Sequence, residues 1–379
     1  MKKMVSLMMV SILVNAAAAS PLLAQEVISD PKATDSQPGG VKSLEDRGGV
    51  LEEALGRQIE GSKWFERIKI GGLIEVEAGY NRIDFDDRTI DDERGSDVDL
   101  ATVELAVDAN IAKYIDGHVL FKYEEDELFV DEGFITLTGT DNFPAYLIAG
   151  RQYIPFGNFE SHFITDPTTL ELGETNEGAV VVGYGLGGEL VDICVGVFNG
   201  KTKEADANDH IDNLAGRMVV TPVEGITFGA SFTSNLAAAD SFADQVQRDL
   251  NDTVAGWSAF LTLTLSERLT FFGEYVAALE DFEAGELYDG ADTRKCRPAA
   301  WNLELGYAFT DRWQAALRYG GSTDGDAGSG EFLPTAQYGA IINWTLFENT
   351  KLGLEYLRSE FENDYQTSDA FAAQLAIQF

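Results

Sequence analysis

The sequence predicts an all-β protein: a transmembrane antiparallel β-barrel of about 16 strands over residues 68–379, behind a short polar and helical lead segment (25–67) and a signal peptide (1–24). Three observations predict it. From Ile68 onward, runs of about ten residues alternate apolar and polar side chains, the period of a strand with two unlike faces. The connections between runs alternate too, tight on one side and long or charged on the other. Aromatic residues of the apolar parity cluster near the ends of the runs, where a bilayer has its interfaces.

The lead comes first. Met1 to Ala24 has Lys2 and Lys3, an apolar run from Met4 to Val14 and small residues before Leu22-Leu23-Ala24, the pattern of an export signal cleaved after Ala24, with Ala19 as the alternative site. Its apolar run is too short to span a bilayer, and nothing later approaches the ~18 apolar residues a membrane helix needs. From Gln25 to Arg67 the chain is polar, with Leu44, Leu51, Leu55 and Ile59 spaced as in a short amphipathic helix over 43–60, weakened by Gly48-Gly49. Trp64 and Phe65 then stand where an interfacial pair would precede the first strand.

In "IKIGGLIEVEAGY", Ile68, Ile70, Ile74, Val76 and Tyr80 share one parity, against Lys69, Glu75 and Glu77 on the other. "TVELAVDANI" sets Val103, Leu105 and Val107 against Glu104 and Asp108, and "WNLELGYAF" sets Trp301, Leu303, Leu305 and Tyr307 against Asn302 and Glu304. Continued along the chain, this gives strands starting near 68, 98, 117, 129, 144, 178, 189, 213, 225, 253, 268, 299, 312, 335, 350 and 368. In hydrocarbon every backbone N–H and C=O needs a partner, so such a sheet has to close with its apolar face outward. Sixteen strands leave an aqueous interior, whereas eight are filled by side chains. The lead is too short for a plug, and the chain has no room for a 22-stranded gated receptor.

Charge bounds the partners. The formal net charge is −37, and the mean hydropathy of −0.11 carries no apolar excess. Nucleic acid is excluded as a partner, because phosphate binding needs clustered basic residues. Parity places Glu75, Glu77, Glu104, Asp108, Glu124, Glu132, Asp192, Glu274, Glu304 and Glu355 on the inward face, against Lys69, Lys122, Arg151, Arg217 and Arg318. A lumen so lined prefers cations.

The longest break in the pattern that is neither tail nor polar loop is "GRQYIPFGNFESHFITDPTTLELGETNEG", Gly150 to Gly178. It is the third long connection, 154–177. With Arg151 at its start, it carries Glu160, Asp166, Glu171, Glu174 and Glu177 and no Lys or Arg from 160 onward. Folded into the lumen, it would put those acids at the narrowest point.

Within and beside that stretch, "AGRQYIPFG", "ESHFITDPTTLELGET" and "VGYG" resemble the LbtU-type siderophore porins, over a barrel from about Ile68 to Phe379 and most specifically over Gly150 to Gly185. The resemblance implies passive uptake of a siderophore or other iron chelate, a third external loop folded inward as in sixteen-stranded porins, and a possible homo-trimer. The terminal "FAAQLAIQF", ending on Phe379, looks like the last-strand signal of Gram-negative outer-membrane proteins. That implies insertion by the barrel assembly machinery, with outer-membrane lipid and lipopolysaccharide as neighbours. A general cation-preferring diffusion channel is the alternative, and a structural barrel or adhesin with a blocked lumen a third reading.

Other chemistry fares less well. "DFDDRTIDDERGSDVD" (Asp84 to Asp99) lacks the glycine and ligand order of a calcium loop and reads as a solvated loop, open to calcium or magnesium bridges to lipopolysaccharide. His118, His162 and His210 are isolated, and no Cys or His cluster has metal spacing. A disulfide between Cys194 and Cys296 is possible in an exported chain. Ser161-His162 are adjacent and lack a third orienting group, so no esterase triad is legible and no enzyme is expected. "GYGLGGE" has no helix after it to hold a phosphate. No cofactor is implied.

Overall fold

The structure, a computed structural model, describes residues 67–85, 91–124, 127–187, 190–205, 210–266, 268–288, 294–325, 332–361 and 366–379. The signal peptide and the lead helix over 43–60 lie outside the described residues.

Sixteen antiparallel strands close into one barrel. They are β1 (Ile68–Phe85), β2 (Glu93–Ala112), β3 (Ile115–Glu124), β4 (Glu127–Thr140), β5 (Phe143–Tyr153), β6 (Asn176–Leu186), β7 (Val191–Phe198), β8 (Asn213–Val223), β9 (Ile226–Thr233), β10 (Gly256–Leu265), β11 (Leu269–Ala278), β12 (Ala299–Thr310), β13 (Trp313–Thr323), β14 (Ala336–Phe347), β15 (Thr350–Glu360) and β16 (Gln366–Gln378). Each pairs with the next in sequence, and β1 pairs with β16. Closure is completed at the terminal residue, where Phe379 and Gly72 exchange both backbone hydrogen bonds, at 2.9 and 3.0 Å. The Phe379 ring lies over Gly72, where a Cβ would come within 2.3 Å of it, so a side chain there would push the ring away.

The strand faces are those of a membrane barrel. On β12, Leu303, Leu305 and Tyr307 are exposed, whereas Asn302 and Glu304 are 2% and 1% accessible. The same inversion runs through β1, with Ile70, Ile74, Val76 and Tyr80 exposed and Glu75 buried. A basic side chain turned to the lipid at the midplane would cost about 2–4 kcal/mol, and acids somewhat less, so the period-2 pattern settles which face is inside. Two aromatic belts flank the apolar band. Trp313 stacks on Trp344 at 4.9 Å beside the tight turns. Tyr80, Phe371 and Tyr356, and the pairs Trp257–Tyr275 and Tyr319–Tyr338, ring the side of the long loops.

The tight turns are short because they turn through the left-handed region: Tyr114, Gly225 and Asn349 have φ of 70°, 80° and 64°. On the other rim, β1 and β2 run further than the alternation predicts. The connection expected over 81–97 is strand at both ends, with Arg82 opposite Arg94 and Ile83 opposite Glu93. Beyond the lipid both faces of a hairpin are wet, so charged residues do not end the ladder. The third connection is correspondingly shortened to 154–175, since β6 already begins at Asn176.

Two short helices complete the fold, α1 (Thr168–Gly173) in that third connection and α2 (Asp240–Ala243) in the one after β9. The connections after β9, β11 and β13 share a hydrophobic core of Leu236, Phe242, Leu250, Phe282, Leu287 and Leu333. Leu170 and Leu172 of α1, with Phe156 and Phe159, belong to the same core. The third connection is therefore bound into the folded loops on the long-loop rim as well as to the strands.

Candidate functional site: a loop clamped inside the barrel

Residues 154–175 leave β5 at Ile154, whose N–H bonds the Thr175 carbonyl at 2.9 Å and closes the neck of the loop. From there the loop follows the inward face of β8 to β15. Gly157 N–H donates to Ser231 Oγ of β9 (2.9 Å), and Arg217 of β8 donates from Nη1 to the Gly157 carbonyl (3.2 Å). Three inward carboxylates then take the loop's backbone amides in turn. Glu274 of β11 accepts from Asn158 and Phe159 N–H, both at 2.8 Å. Glu304 of β12 accepts from His162 N–H at 2.7 Å and from Ser161 Oγ at 3.0 Å. Glu355 of β15 accepts from Ile164 N–H at 2.6 Å and from Thr165 Oγ1 at 2.6 Å.

Carboxylates suit this task. Irregular backbone carries N–H groups without ladder partners, and leaving one buried and unpaired costs about 1–3 kcal/mol. A charge-assisted acceptor satisfies two at once. Glu274 also holds a residue in the left-handed region, Phe159 at φ 52°, which a non-glycine residue seldom adopts unaided.

The centre of the clamp is Glu304. Arg318 Nε donates to its Oε1 at 2.9 Å, with both side chains at 0% accessibility, and Arg318 also donates from Nη2 to Ser161 Oγ (2.6 Å) and from Nη1 to the Asp166 carbonyl (3.3 Å). The guanidinium stacks over the Phe163 ring at 4.3 Å, and His162 Nδ1 lies 3.0 Å from Glu304 Oε2. Three inward glycines make room for the loop's "HFI". A Cβ on Gly306 would meet the His162 ring at 2.4 Å, on Gly339 the Phe163 ring at 2.5 Å, and on Gly353 the Ile164 side chain at 3.1 Å. Wall and loop fit residue against residue.

Of the loop acids, Glu160 accepts from Thr262 Oγ1 at 2.6 Å. Asp166 and Glu174 are buried, at 7% and 8%. Burial pushes both well above the usual carboxylate range; neighbouring acids add to it, and the fields of Arg318 and Lys122 oppose it at Asp166. Glu171, half-buried, is raised by burial against a hydrogen bond from Ser241. Arg151 and Glu177 stand apart from this group. They belong to β5 and β6, and Arg151, expected on the inward face, lies on the outward one. It shares its parity with Ala149, which pairs with the exposed Val180 and Ile135, while the adjacent Gln152 is the buried residue. Arg151 Nε donates to the Asp131 carbonyl at 3.1 Å. Strand pairing, continuing through 151–153 and 176–178, takes both residues out of the loop.

The wall from β1 to β4 is differently occupied. Glu75 is 1% accessible, and Glu104 half-buried. Lys122 is buried, with Nζ 2.9 Å from Glu124. Asp108 and Glu132 hold the two nitrogens of His118, at 2.7 and 3.3 Å. Asp131, which the alternation does not single out because a bulge shifts the register of β4 there, accepts from Tyr153 OH and Asn176 Nδ2. Among the described residues, no group of three or more His, Cys, Asp or Glu side chains could hold a metal ion. Cys194 and Cys296 are buried, and no disulfide joins them.

Sequence parity places Glu274, Glu304, Glu355, Arg217 and Arg318 inward, but not the partners they take. The clamp residues Ser161, His162, Phe163, Ile164 and Thr165 and the receiving glycines are unmarked in the linear pattern. Glycine at inward strand positions is the one signal that could have pointed to a close approach.

No family model matches the chain. It is similar to a UPF0422 protein of Coxiella burnetii, 26% identical over 308 residues, which are 76% of this chain and 63% of that one. It is also similar to a UPF0422 protein of Legionella pneumophila strain Philadelphia 1, 24% identical over 299 residues, covering 69% of this chain and 54% of that one. The chain thus spans less than two thirds of the length of these relatives. Among solved structures it shares its fold with the outer membrane channel DcaP of Acinetobacter baumannii (TM-score 0.61, 14% identity, 82% of this chain and 97% of that one) and with OprB of Pseudomonas putida (0.58, 12%, 88% and 97%). An anion-selective porin from Comamonas acidovorans has the same fold as well (0.56, 10%, 82% and 99%). The chain is a closed sixteen-stranded barrel of the kind found in outer-membrane porins.

Proposed function

We propose that this chain is a passive channel of the Gram-negative outer membrane for small hydrophilic solutes, with a preference for cations. The observation that carries the reading is the unequal use of charge inside the barrel. Arg217 and Arg318 are committed to loop carbonyls, Ser161 and Glu304, so they offer little to a passing anion. Glu75, Glu77, Glu104, Asp108, Glu124, Asp131 and Glu132 on β1 to β4 are set against Lys69, which pairs across the ladder with Asp108, and against Lys122 and His118, both of which sit beside acids. Carboxylates in a narrow low-dielectric passage favour positive ions. Sixteen strands give room for water, and the clamped loop supplies the constriction.

Uptake of iron chelates, which the resemblance over Gly150 to Gly185 implies, fits this interior for neutral or cationic complexes, since an acid-lined path repels anionic ones. Planar-bilayer recording on the purified full chain tests the proposal. Steady ohmic steps with a reversal potential on the cation side are expected. A silent bilayer sinks the channel, and a reversal potential favouring chloride sinks its charge preference.

A further inference from the structure

Lys122 occupies an unusual place. It is 3% accessible and points inward from β3, with Nζ 2.9 Å from Glu124 Oε2. Glu104 is its direct partner across the β2–β3 ladder. Glu75, on the next strand, and Asp131 of β4 lie within its field, and so do Asp166 and Glu174 of the clamped loop. One ammonium therefore sits among carboxylates from both the wall and the loop.

A single ammonium cannot satisfy them. It has three N–H donors and one charge. Glu75 shows the deficit: at 1% accessibility, neither of its carboxylate oxygens has a hydrogen-bond partner among the described residues. The buried hydroxyl of Thr102, paired with Glu75 across β1–β2, is its neighbouring neutral donor and makes no well-formed hydrogen bond to it. A buried, uncompensated carboxylate is costly, and a second cation that brings its own donors would relieve it.

We propose that Lys122 is the built-in occupant of a cation subsite in the lumen, with Glu75, Glu104 and Asp131 as its wall, and that this subsite takes primary amines, diamines above all. Lys122 is then the specificity-determining residue. Its ammonium competes with the solute for the same carboxylates, so a monovalent ion displaces it poorly. A diamine supplies two ammonium groups, one able to replace that of Lys122 and one able to reach Glu75. The inference rests on the cation-channel reading for its physiological role, but binding can be measured without conduction.

Calorimetric titration of putrescine into the detergent-folded full chain tests it, with the heat-modifiable mobility of the barrel as the check on folding. K122Q, which vacates the subsite, is expected to bind putrescine about tenfold more tightly than wild type, K122R to behave as wild type, and E75Q to bind more weakly. Equal affinity in wild type and K122Q overturns the proposal. Should K122Q not fold, E75Q decides: putrescine affinity unchanged from wild type overturns it equally. A silent wild-type bilayer would sink the channel reading alone and leave these affinities to be judged on their own.

Discussion

The wall from β8 to β15 and the wall from β1 to β4 have the same alternation and comparable inward acids, yet they use those acids in opposite ways. On the first, Glu274, Glu304 and Glu355 are consumed as acceptors for the backbone of residues 158–165, and Arg318 neutralises the most buried of them. On the second, Glu75 makes no well-formed hydrogen bond, and Glu104 faces a lysine already paired elsewhere. A carboxylate on the inside of a barrel can thus be a structural acceptor or part of the electrostatic lining. What decides is whether an irregular segment with unpaired N–H groups lies against it. A count of inward charges, ten acids against five bases, treats the two walls alike and so misstates where the field resides.

The comparison breaks most visibly at Glu304. Removing its carboxylate in Glu304→Ala strands Arg318 at 0% accessibility and frees Ser161 and the His162 amide, a loss of about 3–5 kcal/mol. Unfolding of the barrel in denaturant should show that loss, together with a larger single-channel conductance as the loop comes off the wall. A midpoint unchanged from wild type would mean that the clamp contributes nothing.

A smaller effect is expected where shape rather than charge holds the loop. In Gly339→Leu the new side chain takes the space of the Phe163 ring, costing about 1–3 kcal/mol through overpacking. Limited proteolysis should then cut within 158–166 while the barrel resists; protection equal to wild type would place the ring elsewhere.

Asp166 sharpens the comparison through pH. Its folded value is raised by burial above the unfolded value of about 3.9, so its ionised form costs stability above that range, and the cost fades as pH falls and both states become protonated. Asp166→Asn should therefore stabilise the protein at about pH 8, with the gain vanishing near pH 4. Melting curves of the two proteins that keep a constant offset across this range would contradict the assignment.

The smallest stability effect belongs to the other wall. Glu104→Gln should leave unfolding within about 0.5 kcal/mol of wild type, because none of the loop amides bonds there, yet move the reversal potential toward anions. An unchanged reversal potential would remove Glu104 from the lining.

How far the linear pattern reaches can be seen in particular residues. Leu303, Glu304 and Leu305 announce their faces by alternation alone, since a strand's period of two is local and lipid allows only one orientation. Phe379 likewise marks the closing strand. The extents of β1 and β2 were less legible, because "DFDDRTIDDERGSDVD" reads as loop by composition although its flanks continue the ladder. Arg151 and Glu177 look like loop residues beside Pro155 and Thr175, but cross-strand pairing extends that far.

By itself the sequence determined the barrel, the inward and outward faces of its strands with the exception of Arg151 on β5, its tight and long rims, and the acidic character of the inside, because each follows from neighbours a few residues apart and from the cost of charge in lipid. Only the tertiary structure decided which acids serve the loop and which line the space. Glu304 meets His162 across 142 residues, and Glu355 meets Ile164 across 191. Such meetings are set by closure of the ring and by the fit of three side chains over Gly306, Gly339 and Gly353, and no local period encodes them.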